Sequence, residues 1–223
     1  MTLPQTMDFR SLFPTPAAIA VLRTPSARTA LDMADALAKG GLAAIEVTLT
    51  TPGACEVIEE LSARPGLIVG AGTVTNTVEA ADAVKAGARF VVTPGLVTRV
   101  ISAVRDRGVP VVPGVFTPSE LLAARACGAT TVKLFPASTG GVTHLKALRS
   151  VFPSIGLVPT GGIGPADVAD WITAGACAVG VGGVLNNTYD KDGCDGLQAL
   201  AADLVGRTDA AASRSEIRKE HDR

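Results

Sequence analysis

Histidine is scarce in this sequence. There are two in 223 residues, His144 in a helix-like stretch and His221 near the C-terminus, so proton transfer has to rest on other groups. No H-x-H, H-E-x-x-H or D-x-D cluster offers ligands for a divalent metal, and neither a metal nor a cofactor is expected. Excess charge of either sign is also missing. A net charge of -1 gives no electrostatic footprint for nucleic acid or an anionic membrane. No apolar run reaches the roughly 20 residues of a membrane span, and the opening MTLPQTMDFR has no hydrophobic signal core. The expectation is a cytoplasmic protein whose partners are small molecules. Cys55, Cys127, Cys177 and Cys194 show no C-x-x-C spacing, which argues against a disulfide frame or a zinc site and for thiols that behave as small hydrophobes.

What the chain has in quantity is a recurring unit: an apolar stripe at helical spacing, then a glycine, then a short β-branched run. Gly40, Gly87, Gly108, Gly128 and Gly175 stand where a left-handed helix C-cap is needed. The runs are 17–23, 43–49, 67–74, 90–94, 110–115, 131–136, 156–162 and 178–185, eight in all. Their near-continuous apolar character fits strands covered by helices on both faces. Stripes such as Leu31, Ala34, Leu37, Ala38 and Val97, Val100, Ile101, Val104 mark the helices between them, and Thr117-Pro118-Ser119-Glu120 reads as a capping box with proline at the first helical position. Eight strand–helix units at this length predict an α/β protein with a closed (β/α)8 TIM barrel rather than a doubly wound sheet. One domain over 1–223 is expected, with barrel strands over about 17–185, a segment over 1–14 across the bottom, and a polar tail over 207–223 that is helical or frayed.

Barrels carry their reactive groups at the C-terminal strand ends and in the loops that follow. This reduces the candidates to Arg23, Glu46 with Thr48 and Thr50, Thr73, Thr93, Phe116, Lys133 with Phe135, Thr160-Gly161-Gly162 and Gly182-Gly183. Of six lysines, Lys39, Lys85, Lys146, Lys191 and Lys219 fall on helix or loop positions, and Lys133 alone stands inside an apolar strand, T-V-K-L-F-P. Burying an unpaired ammonium costs free energy unless the amine is neutral or a partner compensates, and a neutral amine is the nucleophile that attack on a ketone requires. Glu46, inside A-A-I-E-V-T-L, is the matching anomaly among the acids. Period-two geometry puts Glu46, Thr48 and Thr50 on one face, and if that face points inward Glu46 and Lys133 share one polar interior. A structural ion pair and a catalytic acid/base pair both fit this placement. The glycine-rich stretches 158–164 and 179–185, after strands seven and eight, occupy the place of a backbone phosphate cradle.

Taken together, G-G-x-x-x-x-E-V-T-L (40–49), V-G-A-G-T-V (69–74), V-T-P-G (92–95), V-P-G-V-F-T-P-S-E (112–120), K-L-F-P-A (133–137) and P-T-G-G-I (159–163) resemble the 2-keto-3-deoxy-6-phosphogluconate (KDPG) aldolases, in the same order over about residues 15–205. The resemblance implies a class I aldolase, usually a homotrimer, that cleaves a sugar-acid phosphate to pyruvate and glyceraldehyde 3-phosphate. It implies that Lys133 forms the iminium and that Glu46 moves protons, partly through water. By the same resemblance, Thr73 and the Gly72 backbone bind the pyruvyl carboxylate, Pro94 and Phe135 shape the pocket, and the Gly161-Gly162 and Gly182-Gly183 turns, after Thr160, hold the distal phosphate.

Two positions depart from the family pattern. Thr50 stands where many members carry an arginine that contacts substrate, and Val184 stands where a serine commonly follows the last two glycines. Arg23, at the end of the first strand, resembles the arginine of the related phosphogalactonate aldolases and is expected to supply the missing charge. Phosphogluconate, phosphogalactonate and 4-hydroxy-2-oxoglutarate compounds are all candidate substrates. Two other readings stay open at this point: a phosphate-binding barrel isomerase or epimerase with Glu46 as base and Lys133 as a clamp, and a non-catalytic barrel that binds a sugar phosphate.

Overall fold

The computed structural model describes residues 7–13 and 16–221, with side chains up to Arg214. Strands and helices alternate along the chain: β1 (Ala17–Leu22), α1 (Ala27–Lys39), β2 (Ala44–Thr48), α2 (Ala54–Ser62), β3 (Ile68–Gly72), α3 (Thr77–Lys85), β4 (Val91–Val92), α4 (Thr98–Arg105), β5 (Val111–Val112), β6 (Gly114–Val115), α5 (Pro118–Ala126), β7 (Thr131–Leu134), α6 (Ala137–Val151), β8 (Gly156–Pro159), α7 (Val168–Thr173), β9 (Ala178–Val181) and α8 (Gly183–His221). All strand pairs are parallel, in a six-stranded sheet of order β5-β4-β3-β2-β1-β9 and a three-stranded sheet of order β6-β7-β8. The edges of the two sheets are linked by single hydrogen bonds. Lys133 N donates to Pro113 O at 2.9 Å and Cys177 N to Leu157 O at 3.0 Å, while Thr160 bridges Gly180.

The run 110–115, read as one strand, is two. Pro113 has no N–H to give the ladder, so pairing stops there and resumes in the other sheet. The last two runs are also shorter than expected. Thr160 keeps only an isolated bridge to Gly180, the chain bends away at 161 and 162, and 183–185 already belong to α8, so these strands end at Pro159 and Val181. Four of the five predicted C-cap glycines take left-handed φ (Gly87, Gly108, Gly128 and Gly175), but at the end of α1 it is Gly41, with φ 88°, that does so, while Gly40 has φ -79°. Gly40 is glycine for another reason: a Cβ there would overlap Gln198 O and lie 2.6 Å from the Ala201 Cβ of α8. The buried stripe of α1 runs through Ala30, Met33, Ala34 and Leu37, and Ala38 is exposed.

The capping box of α5 forms as the sequence predicts. Glu120 N donates to Thr117 Oγ1 at 3.3 Å, and Glu120 Oε2 accepts from the N–H groups of Thr117 at 2.7 Å and Phe116 at 2.9 Å. Those donors hold the Glu120 carboxyl below its ordinary range.

The concave face is layered by strand period. Ile19, Ala44, Val92, Val112, Val158 and Ala178 form the lower layer, closed by Phe9 and Phe90, whose rings meet edge-on at 5.3 Å. A Cβ at Gly70 would overlap the Phe90 ring, so glycine there makes room for the aromatic plug. Phe9 arrives on a 3-10 turn, Phe9–Leu12, capped by Asp8. Of the expected N-terminal segment, residues 1–6, 14 and 15 lie outside the described residues. At the other end, the backbone of the polar 207–223 stretch continues α8 through His221, and residues 222 and 223 lie outside the described residues. No helix among the described residues is long and apolar enough to cross a membrane.

Candidate active site

Two residues further along the same strands, the lining becomes polar. Val21, Glu46 and Thr160 follow Ile19, Ala44 and Val158 on the same face, and with Lys133 they line a cavity of about 300 Å³ at the C-terminal strand ends. Lys133 Nζ lies 3.4 Å from Glu46 Oε1. The two residues are 7% and 3% exposed, so the carboxylate is the charged partner that makes burial of the ammonium tolerable. Both β2 and β7 are buried along their whole length, which is why two charged residues could be singled out within apolar runs. Gly72 clears the path between them: a Cβ there would overlap Glu46 Oε1, so only glycine lets the carboxylate lie across β3 toward Lys133. The ammonium also stands 5.5 Å from the centre of the Phe135 ring, within cation–π range.

Around this pair the cavity is lined by Arg23, Thr48, Thr73, Pro94, Phe135, Thr160, Gly161, Gly162, Gly182, Gly183 and Asn186. Thr73 has φ 59°, a conformation that is costly for a residue with a β-branched side chain and that clusters at functional sites. It turns the Thr73 hydroxyl toward Arg23, whose Nη2 donates to Oγ1 at 3.5 Å. Gly161 and Gly162 have φ 97° and 75°, and a Cβ on Gly162 would lie 2.6 Å from the Cβ of Ser138, so this turn needs glycine twice over.

Two expected site residues stand elsewhere. Gly72 lies against the Glu46 carboxylate and is not among the residues that line the cavity, and Thr50 lies past the end of β2, where its hydroxyl meets Thr48 Oγ1 at 2.9 Å. Thr93 and Phe116, strand-end candidates as well, are engaged locally: the Thr93 hydroxyl donates to Gly95 O at 2.6 Å, and Phe116 packs against the His144 ring. Sequence reasoning passed over Val21, which reads as an ordinary apolar strand residue, and Asn186, whose only signal is a polar residue in the first turn of a helix.

A larger open cleft of about 700 Å³ lies at the N-terminal strand ends, among Arg10, Arg149, Ile172 and Cys177. It contains no nucleophile and base in contact. Burial pushes the Cys177 thiol up to about 11, away from the thiolate that reactivity requires. The smaller cavity is the one that brings a buried lysine and a buried carboxylate into contact.

Comparison with known proteins identifies the family. The family described as KDPG and KHG aldolase matches residues 11–200. A 2-dehydro-3-deoxy-phosphogluconate aldolase of Pseudomonas aeruginosa is 46% identical over 144 residues, covering 64% of this chain and 66% of that relative's length. Among solved structures, a native KDPGal structure superposes with a TM-score of 0.81 at 29% identity, covering 93% of this chain and 100% of the other. A KDPG aldolase from Legionella pneumophila, in which pyruvate was captured as a covalent carbinolamine intermediate, gives 0.76 at 32% identity, covering 85% of this chain and 94% of that one.

Proposed function

This chain belongs to the KDPG and KHG aldolase family, and from that premise we propose that it is a class I aldolase cleaving a 2-keto-3-deoxy sugar acid, 6-phosphorylated, to pyruvate and an aldehyde such as glyceraldehyde 3-phosphate. The observation that carries the residue assignment is the buried contact of 3.4 Å between Lys133 Nζ and Glu46 Oε1 on the wall of one cavity.

Transfer of the ammonium proton to Glu46 frees the Lys133 amine to attack the C2 carbonyl of the substrate. The resulting carbinolamine loses water to give an iminium. Glu46, deprotonated again, accepts the C4 hydroxyl proton, the C3–C4 bond breaks, and its electron pair passes into the iminium to give an enamine as the aldehyde departs. Glu46 returns a proton to C3, and water attacks the regenerated iminium to release pyruvate and the amine. Thr73 holds the pyruvyl carboxylate in this scheme, and Pro94, Phe135 and Thr160 form the walls. The Gly161-Gly162 and Gly182-Gly183 turns hold the distal phosphate, without the hydroxyl that Val184 lacks. Arg23 supplies the charge that Thr50 does not.

The closed eight-stranded TIM barrel belongs to the same proposal, for one domain over the whole chain. Its support is the set of hydrogen bonds linking the edges of the two sheets at Pro113 and at Leu157. We further propose the homotrimer usual in the family.

Incubation with pyruvate and borohydride should add one pyruvyl-derived mass to the Lys133 peptide, and Lys133→Ala should abolish both labelling and cleavage. Labelling at another lysine, or undiminished turnover in Lys133→Ala, would overturn the assignment. An isomerase or a non-catalytic barrel would trap nothing.

A further inference from the structure

Asn186 lies on the cavity wall in the first turn of α8, and its two amide atoms are treated very differently. Nδ2 donates to the backbone carbonyl of Arg23 at 2.9 Å, tying α8 to the chain just beyond β1 across a separation of 163 residues. Oδ1 is buried and has no hydrogen-bond partner among the described residues. A buried unpaired acceptor costs more than one ordinary hydrogen bond returns, so the Asn186 amide is a poor choice if its task is stability.

The other end of the contact shows what it does. The Arg23 side chain is exposed, has no carboxylate partner among the described residues, and makes only the long 3.5 Å contact to Thr73 Oγ1. With so little holding the guanidinium, its placement is set where the side chain leaves the backbone, and the Arg23 carbonyl is the group that Asn186 grips.

We propose that Asn186 is a positioning residue for Arg23. It clamps the end of the first strand so that the guanidinium stands ready at the cavity mouth for an anionic group of the substrate. The clamp rests on the reading of Arg23 as the anion anchor. It also accounts for a polar residue, unpaired on one side, in a helical turn beside Gly182-Gly183.

The test measures cleavage of 2-keto-3-deoxy-6-phosphogluconate and thermal melting for the wild-type protein, Asn186→Leu, Asn186→Asp, Arg23→Ala and the double variants. Asn186→Leu removes the donor and the orphan acceptor together; Asn186→Asp keeps the shape but loses the donor. Each should raise KM about 2- to 12-fold, the worth of one ordinary hydrogen bond, with kcat little changed and, for Asn186→Leu, melting no lower than wild type. In the Arg23→Ala background the Asn186 substitutions should add nothing. If Arg23→Ala lowers kcat/KM while both Asn186 variants match wild type, the clamp is wrong and the anchor stands. Equal losses in both backgrounds, or a loss in Asn186→Asp alone, overturn it too, the latter marking simple charge repulsion. If Arg23→Ala leaves kcat/KM unchanged, anchor and clamp fall together.

Discussion

The missing side chain at position 72 is as consequential for the proposed chemistry as the two charges it allows to meet. Because a Cβ on Gly72 would overlap the Glu46 carboxylate, Gly72→Ala should push Glu46 off Lys133 while leaving both reactive groups chemically intact. Misplacing a catalytic group by about 1 Å can cost on the order of 10²-fold in rate, so Gly72→Ala should lose about that much in kcat. Glu46→Gln, which removes the base outright, should lose roughly 10²–10⁴-fold. Both variants should still be trapped slowly by borohydride with pyruvate, and the double variant should be no worse than Glu46→Gln. A Gly72→Ala enzyme within a few-fold of wild type would show that the carboxylate has another route to its place. Lys133 and Glu46 were legible in the sequence because a charge inside an apolar strand contradicts its surroundings. Asn186 was not legible: an asparagine near a helix start has many innocent explanations, and its partner is 163 residues away. Thr50 shares a strand-end run with Glu46, but β2 stops at Thr48 and the alternation of faces stops with it.

Among the elements, the ends of helices were the easiest to read, since caps are local. The Thr117–Glu120 box is set by four consecutive residues, and Gly87, Gly108, Gly128 and Gly175 close their helices as expected. Which of two adjacent glycines would close α1 was not local, because contact with α8 claims Gly40 and leaves the left-handed turn to Gly41. The break at Pro113 was visible as a proline, but its assignment of one strand to two sheets depends on neighbours far along the chain. The capping box gives a test by pH. The Glu120 carboxyl is held below its unfolded value by the Thr117 and Phe116 N–H groups, so its contribution is fully present above the unfolded pKa. That contribution is lost as pH falls through the depressed folded value. Thr117→Ala should cost about 1 kcal/mol at neutral pH. Glu120→Gln should be less stable than wild type at neutral pH, with the gap closing below about pH 4. A gap that persists unchanged in acid would mean that Glu120 contributes through something other than its charge.

At the scale of the whole molecule, the strand–helix rhythm made the α/β architecture readable from one end of the chain to the other, whereas the assembly state left no comparable periodic signal. If the protein is the homotrimer proposed, light scattering should give three times the 22.6 kDa chain mass at micromolar concentration, and a monomer mass there would refute it. The aromatic plug has a consequence for traffic. Phe9 and Phe90 fill the lower layer beneath the polar lining, so the cavity of Lys133 and Glu46 is approached from the C-terminal strand ends. On the mechanism proposed, the pyruvyl half stays bonded to Lys133 while the aldehyde half is free once the C3–C4 bond breaks. That scheme has the aldehyde leave before pyruvate, and in the direction of synthesis it has pyruvate enter first.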